Sequence, residues 1–219
     1  MNFIRKKSID AVVGVCLANS IDCLSAIHHR GCGAAIWRRP LQEDLQAWLN
    51  ALDPDQLPRA RVILRHDQVK EALRQACEIA QTPEAEQRET LVADATTLAT
   101  SFARLMDAPY LRLRFDVIKT NACRRFHIDA VTARLICTYR GTGTQYSIET
   151  NRGGSTRIFT TLTGAPIVLR GSLWPEHPKS GLLHRSPLIE GTGETLLVLV
   201  LDRAVDPDDL PDLQTATRH

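Results

Sequence analysis

Residues 111–118 read LRLRFDVI, and apolar and polar side chains alternate along this run from Leu111 to Val117. A period of two is typical of a β-strand with one buried face. Shorter runs of strand-forming residues follow at 131–139, 145–148, 157–159, 167–170, 181–184 and 195–201. Glycine-containing turns such as Gly141-Thr-Gly separate them. The pattern therefore predicts a second half of the chain that consists of closely spaced strands.

The first half of the chain carries helical patterns instead. In residues 42–52 the apolar side chains recur at helical spacing, a second stripe begins at Val69 after a capping Asp67, and a third helix is predicted from Thr82 to about Met106. Short strands are predicted at 33–37 and 61–65. Helices followed by many strands predict an α+β fold, a double-stranded β-helix (jelly roll) with N-terminal supporting helices.

The chain is expected to form a single domain over residues 1–219. Within it we predict a mostly helical N-terminal support with short strands at 1–109, a β-rich jelly-roll core at 110–203 and a flexible tail at 204–219. The basic residues 5–7 and the apolar residues 11–18 resemble a short secretory signal, but Asp10 interrupts the apolar segment. We therefore expect a cytoplasmic protein.

Composition excludes several function classes. With 27 basic and 25 acidic residues the net charge is +2, and only 5% of the residues are aromatic, so we expect no nucleic-acid partner. No segment approaches the roughly 20 apolar residues of a membrane span, so no membrane partner is expected either. The 6 cysteines include no CxxC pair, which predicts reduced thiols rather than a zinc ribbon.

The motif that carries chemistry is His127-Ile-Asp129, which a lone His184 follows near the last apolar strand. On an extended chain residues i and i+2 point to the same side, so His127 and Asp129 can face one point. A second imidazole would complete a 2-His-1-carboxylate triad, which leaves open positions on the metal and is typical of non-haem Fe(II) oxygenases. The alternative is that His127 only forms hydrogen bonds within a strand while His184 lies in a loop.

Two segments carry a family resemblance. Residues 120–146, TNACRRFHIDAVTARLICTYRGTGTQY, and residues 183–187, LHRSP, resemble the hallmark segments of the bacterial domain-of-unknown-function family 1826. More distantly the arrangement resembles the prolyl-hydroxylase-like 2-oxoglutarate/Fe(II) dioxygenases. The resemblance implies a metal-binding jelly roll with His127, Asp129 and His184 as ligands, Fe(II) as the metal, and 2-oxoglutarate as cosubstrate, acting on an unknown small-molecule or protein substrate.

The sequence departs from that pattern in one respect. Many such dioxygenases place a basic residue shortly after the second histidine to pair with the distal carboxylate of 2-oxoglutarate, but the region around Thr195 contains no Arg or Lys. The role would then pass to Arg134 or Arg170, because a guanidinium binds a carboxylate bidentately. Tyr139 is a further candidate that could donate its hydroxyl to a bound carboxylate.

A second function class stays open. The chain could be a non-catalytic jelly-roll protein that binds zinc or iron, and the resemblance implies a link to metal homeostasis. Cys123, His127, Cys137 and His184 would supply a zinc-type ligand set, although buried, unreactive thiols are the favoured interpretation of both cysteines. The two classes differ in metal preference and in whether the coordination sphere is open.

Overall fold

The computed structural model describes residues 14–148 and 157–206. Within these ranges the strands are β1 Gly14–Ala18, β2 Cys32–Trp37, β3 Ala60–Leu64, β4 Tyr110–Ile118, β5 Ala133–Arg140, β6 Gln145–Ile148, β7 Ile158–Thr160, β8 Ile167–Arg170, β9 Leu182–Arg185 and β10 Leu196–Ala204. The α-helices are α1 Glu43–Ala51, α2 Val69–Ile79 and α3 Glu86–Leu105, and short 3₁₀ helices cover Ile21–His28, Pro54–Gln56 and His66–Gln68. The predicted tail beyond residue 206 and the basic residues 5–7 lie outside the described residues.

Two elements differ from the sequence prediction. The apolar N-terminal residues that resemble a signal segment include β1, which pairs in parallel with β2. Helix α3 begins at Glu86 rather than at Thr82. The Thr82 hydroxyl donates to the Gln56 carbonyl oxygen at 2.6 Å, so this side chain binds the end of the 3₁₀ helix Pro54–Gln56 and does not cap α3.

The strands form two sheets. The larger has the order β1-β2-β8-β5-β10-β4-β3 and the smaller the order β7-β6-β9. Strand β10 pairs antiparallel with β4 on one side and with β5 on the other, which places the two long, apolar strands of the second half at the centre of the larger sheet. Three strands from the first half, β1, β2 and β3, extend the sheet at its two edges.

The larger sheet has a buried core on each face. On one face α1 packs on β5, α2 on β3 and α3 on β4 and β10, with Leu111, Leu113 and Phe115 of β4 in that core. On the other face Ile136, Val198 and Val200 join Tyr146 and Leu182 of the smaller sheet in a second core. The predicted mixture of helices and sheets, with helices packed on one side of a large sheet, is therefore confirmed.

None of the helices within the described ranges has the length and apolar character needed to cross a lipid bilayer.

Candidate metal centre

The two histidines of the predicted triad face each other across an isolated antiparallel bridge. The backbone N–H of His127 donates to the carbonyl oxygen of His184 at 3.0 Å, and the N–H of His184 donates to that of His127 at 3.0 Å. Residues that exchange both hydrogen bonds lie directly opposite each other, with their side chains on the same side. The ring centroids are accordingly 4.6 Å apart.

Asp129 completes the cluster two residues after His127. Its Oδ2 lies 2.9 Å from His184 Nε2, and its Oδ1 lies 3.4 Å from His127 Nε2. One ligand atom from each of the three residues lies within 4.8 Å of the others. Neighbouring ligands about 2.1 Å from an ion are separated by about 3 Å, so these spacings fit a shared metal ion.

The hydrogen bonds around the cluster fix the direction of its lone pairs. His127 Nδ1 lies 2.9 Å from the Arg125 carbonyl oxygen, which can only accept, so Nδ1 carries the hydrogen and a neutral ring directs its Nε2 lone pair toward Asp129. Asp129 Oδ2 is buried and has no well-formed hydrogen bond among the described residues. Lone pairs of an imidazole and a carboxylate that face each other repel unless a proton or a metal ion lies between them, and one divalent ion between the three residues would satisfy all of them at once.

The pKa values agree with this arrangement. Burial raises the pKa of Asp129, but the contacts with His127, His184 and Arg134 outweigh it and hold that pKa well below its usual range. The Asp129 carboxylate raises the pKa of His127, and burial opposes this effect. Asp129 is therefore ionised, and the carboxylate attracts a cation to the cluster.

Arg134 lies behind Asp129 and holds it in place. Its Nη1 lies 2.6 Å from Asp129 Oδ1, while its Nε and Nη2 donate to the two carboxylate oxygens of Asp202 at 2.6 and 2.7 Å. Arg134 and Asp202 are opposite residues of β5 and β10, so the sheet register creates this pair. Three of its nitrogens already contact protein carboxylates, so the structure gives no support to the prediction that Arg134 binds a cosubstrate carboxylate, although Arg134 lines the cavity.

The structure places Tyr139 and Arg170 on the opposite face of the larger sheet. Tyr139 is fully buried beneath the helices and donates its hydroxyl to Asp94 Oδ2 at 2.6 Å. Arg170 donates to the backbone carbonyls of Ile27 and His29 and stacks on Trp174. Neither side chain lines the cavity next to the histidines. Their predicted role in cofactor binding is therefore wrong, because each strand turns these side chains toward the helical layer.

A cavity of about 110 Å³ opens beside the two histidines, between the larger sheet and the segments that carry them. Its walls come from β4, β5 and β10 together with the segments around His127 and His184. Its polar and charged lining includes Arg114, Asp116, Cys123, His127, Arg134, Thr138, Thr144, His184, Arg185 and Ser186. Cys137, by contrast, is buried on the helical side, so the four-residue zinc set of Cys123, Cys137 and the two histidines does not assemble.

Two residues of this region were not among the sequence candidates. Asp202 is buried and anchors Arg134, and Arg114 of β4 projects into the cavity. The period of two in residues 111–118 was the available signal, since it places Arg114 opposite the buried face of Leu113 and Phe115. The period of two does not reveal that the smaller sheet covers the face of β4 that carries Arg114.

Solved structures share this fold. The dioxygenase for auxin oxidation from rice superposes with a TM-score of 0.52 at 12% identity, over 90% of this chain and 84% of that chain. The Arabidopsis thaliana dioxygenase for auxin oxidation 1, solved with 2-oxoglutarate, gives 0.52 at 10% identity, over 90% and 95%. A Pseudomonas putida prolyl-4-hydroxylase gives 0.45 at 14% identity, over 85% and 100%. At these identities the first two similarities establish a common fold.

No curated protein sequence matches this chain. A family model does match, and it spans residues 18–202, which include all three residues of the candidate centre. The resemblance inferred from residues 120–146 and 183–187 is thereby confirmed. The chain belongs to the family described as "Protein of unknown function (DUF1826)".

Proposed function

We propose that this protein is a non-haem Fe(II) oxygenase in which His127, Asp129 and His184 hold the metal. The observation that carries the proposal is the convergence of these three side chains within 4.8 Å, with a buried Asp129 oxygen that has no well-formed hydrogen bond. Two imidazoles and one carboxylate occupy one face of an octahedral ion and leave the other positions for small ligands. The substrate is one that fits the cavity beside the histidines.

The proposed architecture is a single-domain double-stranded β-helix. The division of the strands that follow residue 109 between two sheets supports it, since β4, β5, β8 and β10 lie in the larger sheet while β6, β7 and β9 lie in the smaller. The fold shared with the rice and Arabidopsis enzymes supports the same proposal. A continuous core between the helices and the larger sheet supports one domain rather than two.

Bound Fe(II) would supply the activation of dioxygen, with 2-oxoglutarate as the proposed source of electrons. The residues of this chain hold the proposed metal ligands and orient them. The Arg125 carbonyl fixes the His127 tautomer, and Arg134 fixes the direction of the Asp129 carboxylate. Val198, Val200 and Ile136 give the cavity an apolar wall, which limits access of water to the centre.

A zinc-binding, non-catalytic protein linked to metal homeostasis is the competing proposal. The structure gives it no support, because a structural zinc site is closed by four protein ligands, whereas the convergent cluster of described residues offers three beside a cavity, and the nearby thiol of Cys123 is exposed and lies outside that cluster. An oxygenase needs reachable open positions, and the adjoining cavity provides them.

The test is the metal content of anaerobically purified protein after reconstitution with Fe(II), compared for wild type, His127→Ala and His29→Ala. His29 is exposed and remote in sequence from the site, so His29→Ala is the matched control. Wild type and the control should bind one iron, and 2-oxoglutarate should add a visible charge-transfer absorbance band, whereas His127→Ala should lose both signals.

Other results would contradict the proposal in separable ways. Iron binding without the absorbance band would retain the metal centre but reject 2-oxoglutarate as the cosubstrate. Equal metal binding by wild type and His127→Ala would reject the proposed metal centre. A preference for tightly bound zinc with no exchangeable position would reject its role as an oxygenase.

A further inference from the structure

The segment that carries His127 and Asp129 forms one edge of the smaller sheet. The strand order of that sheet is β7-β6-β9, and His127 pairs with His184 of β9, so the segment lies beyond β9. Among the described residues no strand pairs with the other side of the segment. Residues 126–129 are all half-buried rather than buried. The edge is therefore open, and it lies directly beside the candidate metal centre.

The backbone groups at this edge have no partners. His127 uses both its N–H and its carbonyl oxygen in the two hydrogen bonds to His184. In an antiparallel pair the residues on either side of such a position direct their backbone groups away from the partner strand. Phe126 and Ile128 accordingly direct theirs to the open edge, and none of these groups forms a hydrogen bond within the described ranges. Unpaired N–H and carbonyl groups in a row are a template for another extended chain.

A chain that pairs antiparallel with this edge has a fixed register relative to the centre. Its hydrogen-bonded residues lie opposite Phe126 and Ile128, and the residue between them, the central residue, lies opposite His127. The central residue and His127 form a non-hydrogen-bonded pair, in which the Cα atoms are about 4.5 Å apart and both side chains lie on the same face. The side chain of the central residue is therefore directed toward the candidate centre.

The cavity beside the histidines has the size and the position to receive that side chain. Its volume of about 110 Å³ is well below the roughly 300–1,000 Å³ of pockets that enclose drug-sized molecules. Its lining includes the exposed residues Ala122 and Cys123 just before the edge, so the cavity reaches the surface there. The wall formed by Val198 and Val200 favours an apolar side chain.

Arg125 gives the edge a positive charge. It precedes Phe126 and is exposed, and its guanidinium has no ion pair or hydrogen bond with the residues that the structure describes. The neighbouring Arg124, by contrast, is paired with Glu190 at 2.7 Å. In the antiparallel register the position opposite Arg125 is the second residue after the central one. An acidic side chain at that position complements the guanidinium.

We propose that residues 126–128 bind an extended polypeptide segment by antiparallel strand addition, with the side chain of its central residue directed into the cavity and an acidic residue two positions later beside Arg125. The substrate class is then a side chain of a peptide or protein. That the bound segment is the substrate rests on the proposed function, whereas strand addition at this edge does not.

The experiment measures the binding of a defined peptide to the metal-free, full-length protein by calorimetric titration. The probe is the acetylated and amidated peptide TVTLTET, whose leucine is the central residue. Methylation of the backbone nitrogens of the two threonines that flank the leucine should weaken binding at least tenfold, because these N–H groups face the edge. Methylation of the leucine nitrogen, which faces away from the edge, is the matched control and should change the affinity by less than about twofold.

The charge of Arg125 is tested separately. Replacing the glutamate of the probe by glutamine should weaken binding about two- to fivefold, as expected for an exposed ion pair. Arg125→Gln should abolish this preference for the acidic probe, whereas Arg30→Gln, which removes the same charge from another exposed position, should keep it.

Several results would overturn the proposal. These are no binding of TVTLTET, an equal loss of affinity on methylation of the leucine and of the flanking threonines, or an unchanged preference for the acidic probe in Arg125→Gln. Sedimentation velocity shows whether a second copy of the chain covers the edge instead. A dimer that TVTLTET does not dissociate would also overturn the proposal.

Mn(II)-loaded protein separates this proposal from the proposed function. Paramagnetic Mn(II) at the centre should broaden the NMR signals of the leucine side chain more than those of the terminal threonines, and equal broadening would overturn the register. Edge-dependent peptide binding by a protein that takes up no metal would support strand addition and reject the metal centre. Normal metal uptake without peptide binding would do the reverse.

Discussion

Asp129 is a buried carboxylate whose position depends on the residues behind it. Arg134 lies between Asp129 and Asp202, so one guanidinium serves two carboxylates. Asp129 Oδ1 binds Arg134, while Asp129 Oδ2 faces His184 Nε2 at 2.9 Å, and a carboxylate oxygen in that position favours a cation between the ligands. A buried carboxylate without a cation nearby is costly, so Arg134 and a metal ion would both stabilise the Asp129 carboxylate. The ion pair between β5 and β10 is therefore linked to metal binding at Asp129.

A substitution at Tyr139 tests whether the candidate metal centre is independent of the opposite face of the larger sheet. Burial raises the pKa of Tyr139, so its hydroxyl remains protonated at neutral pH and donates to Asp94, which Arg39 also holds through both carboxylate oxygens. Tyr139→Phe should lower the free energy of unfolding in urea by about 1.5–3 kcal/mol, the contribution of a hydrogen bond to a charged group. Binding of Fe(II) and of 2-oxoglutarate should stay at the wild-type level.

The matched control is Tyr110→Phe, because Tyr110 is only half-buried and is not paired with a buried carboxylate among the described residues, and this change should alter stability by less than about 0.5 kcal/mol. Weaker binding of 2-oxoglutarate by Tyr139→Phe would contradict the placement of this hydroxyl away from the cavity.

At the scale of the strands, β5 shows what the sequence could and could not predict. The alternation along β5 places Arg134, Ile136 and Thr138 toward the cavity and Cys137 and Tyr139 toward the helices. Because Arg134 and Tyr139 are an odd number of positions apart, a regular strand cannot direct both to one site. Both faces of this strand are buried, so apolar residues occupy consecutive positions. The sequence alone therefore does not reveal which of the two alternating sets of side chains faces the site.

The metal candidates were predictable for a local reason. His127 and Asp129 are separated by one residue, and that spacing alone brings the two side chains together on an extended segment. Arg114 was not predicted because the alternation along β4 is typical of a strand whose polar face, which carries Arg114, is exposed to solvent. Only the packing of the smaller sheet, a contact between residues far apart in sequence, turns that polar side into a cavity wall.

Gly171, which follows β8, keeps the segment after Asp129 in place. Three backbone N–H groups in a row, those of residues 171–173, donate to the carbonyl oxygens of Thr132, Asp129 and Val131 at 2.9, 2.9 and 3.1 Å. A Cβ at position 171 would lie 1.9 Å from the Val131 carbonyl oxygen, so the two segments must separate. Gly171→Ala should therefore cost about 1–3 kcal/mol of stability, as overpacking does, and should weaken Fe(II) binding by about 10- to 100-fold.

Urea unfolding and Fe(II) titration check this prediction. Gly31→Ala is the matched control, since a Cβ there meets no atom within 4 Å, and it should leave Fe(II) affinity unchanged. Wild-type Fe(II) affinity in Gly171→Ala would show that the position of the Asp129 segment does not depend on this contact.

On the scale of the whole molecule, the larger sheet separates the layer of helices from the candidate metal centre and its cavity. The helices and the outer side of the sheet share one core, while the cavity lies on the other side and takes none of its lining from α1, α2 or α3. The first half of the chain supplies β1, β2 and β3 at the edges of the sheet, and of these the short strands β2 and β3 were predicted whereas β1 was not. Element order in the sequence predicts the helical layer, but the long-range strand pairing that completes the sheet has no local signal.

Leu98 of α3 lies in the helical core, fully buried, and α3 packs on β4 and β10 from the side opposite the cavity. Leu98→Ala should lower the free energy of unfolding by about 2–5 kcal/mol through the cavity it leaves, whereas the exposed Leu162→Ala should change it by at most about 0.5 kcal/mol. Below its unfolding transition, Leu98→Ala should bind Fe(II) as wild type does. If its Fe(II) affinity instead falls as far as that of Gly171→Ala, the helical layer shapes the centre through the sheet, and stability and metal binding are coupled across the whole fold.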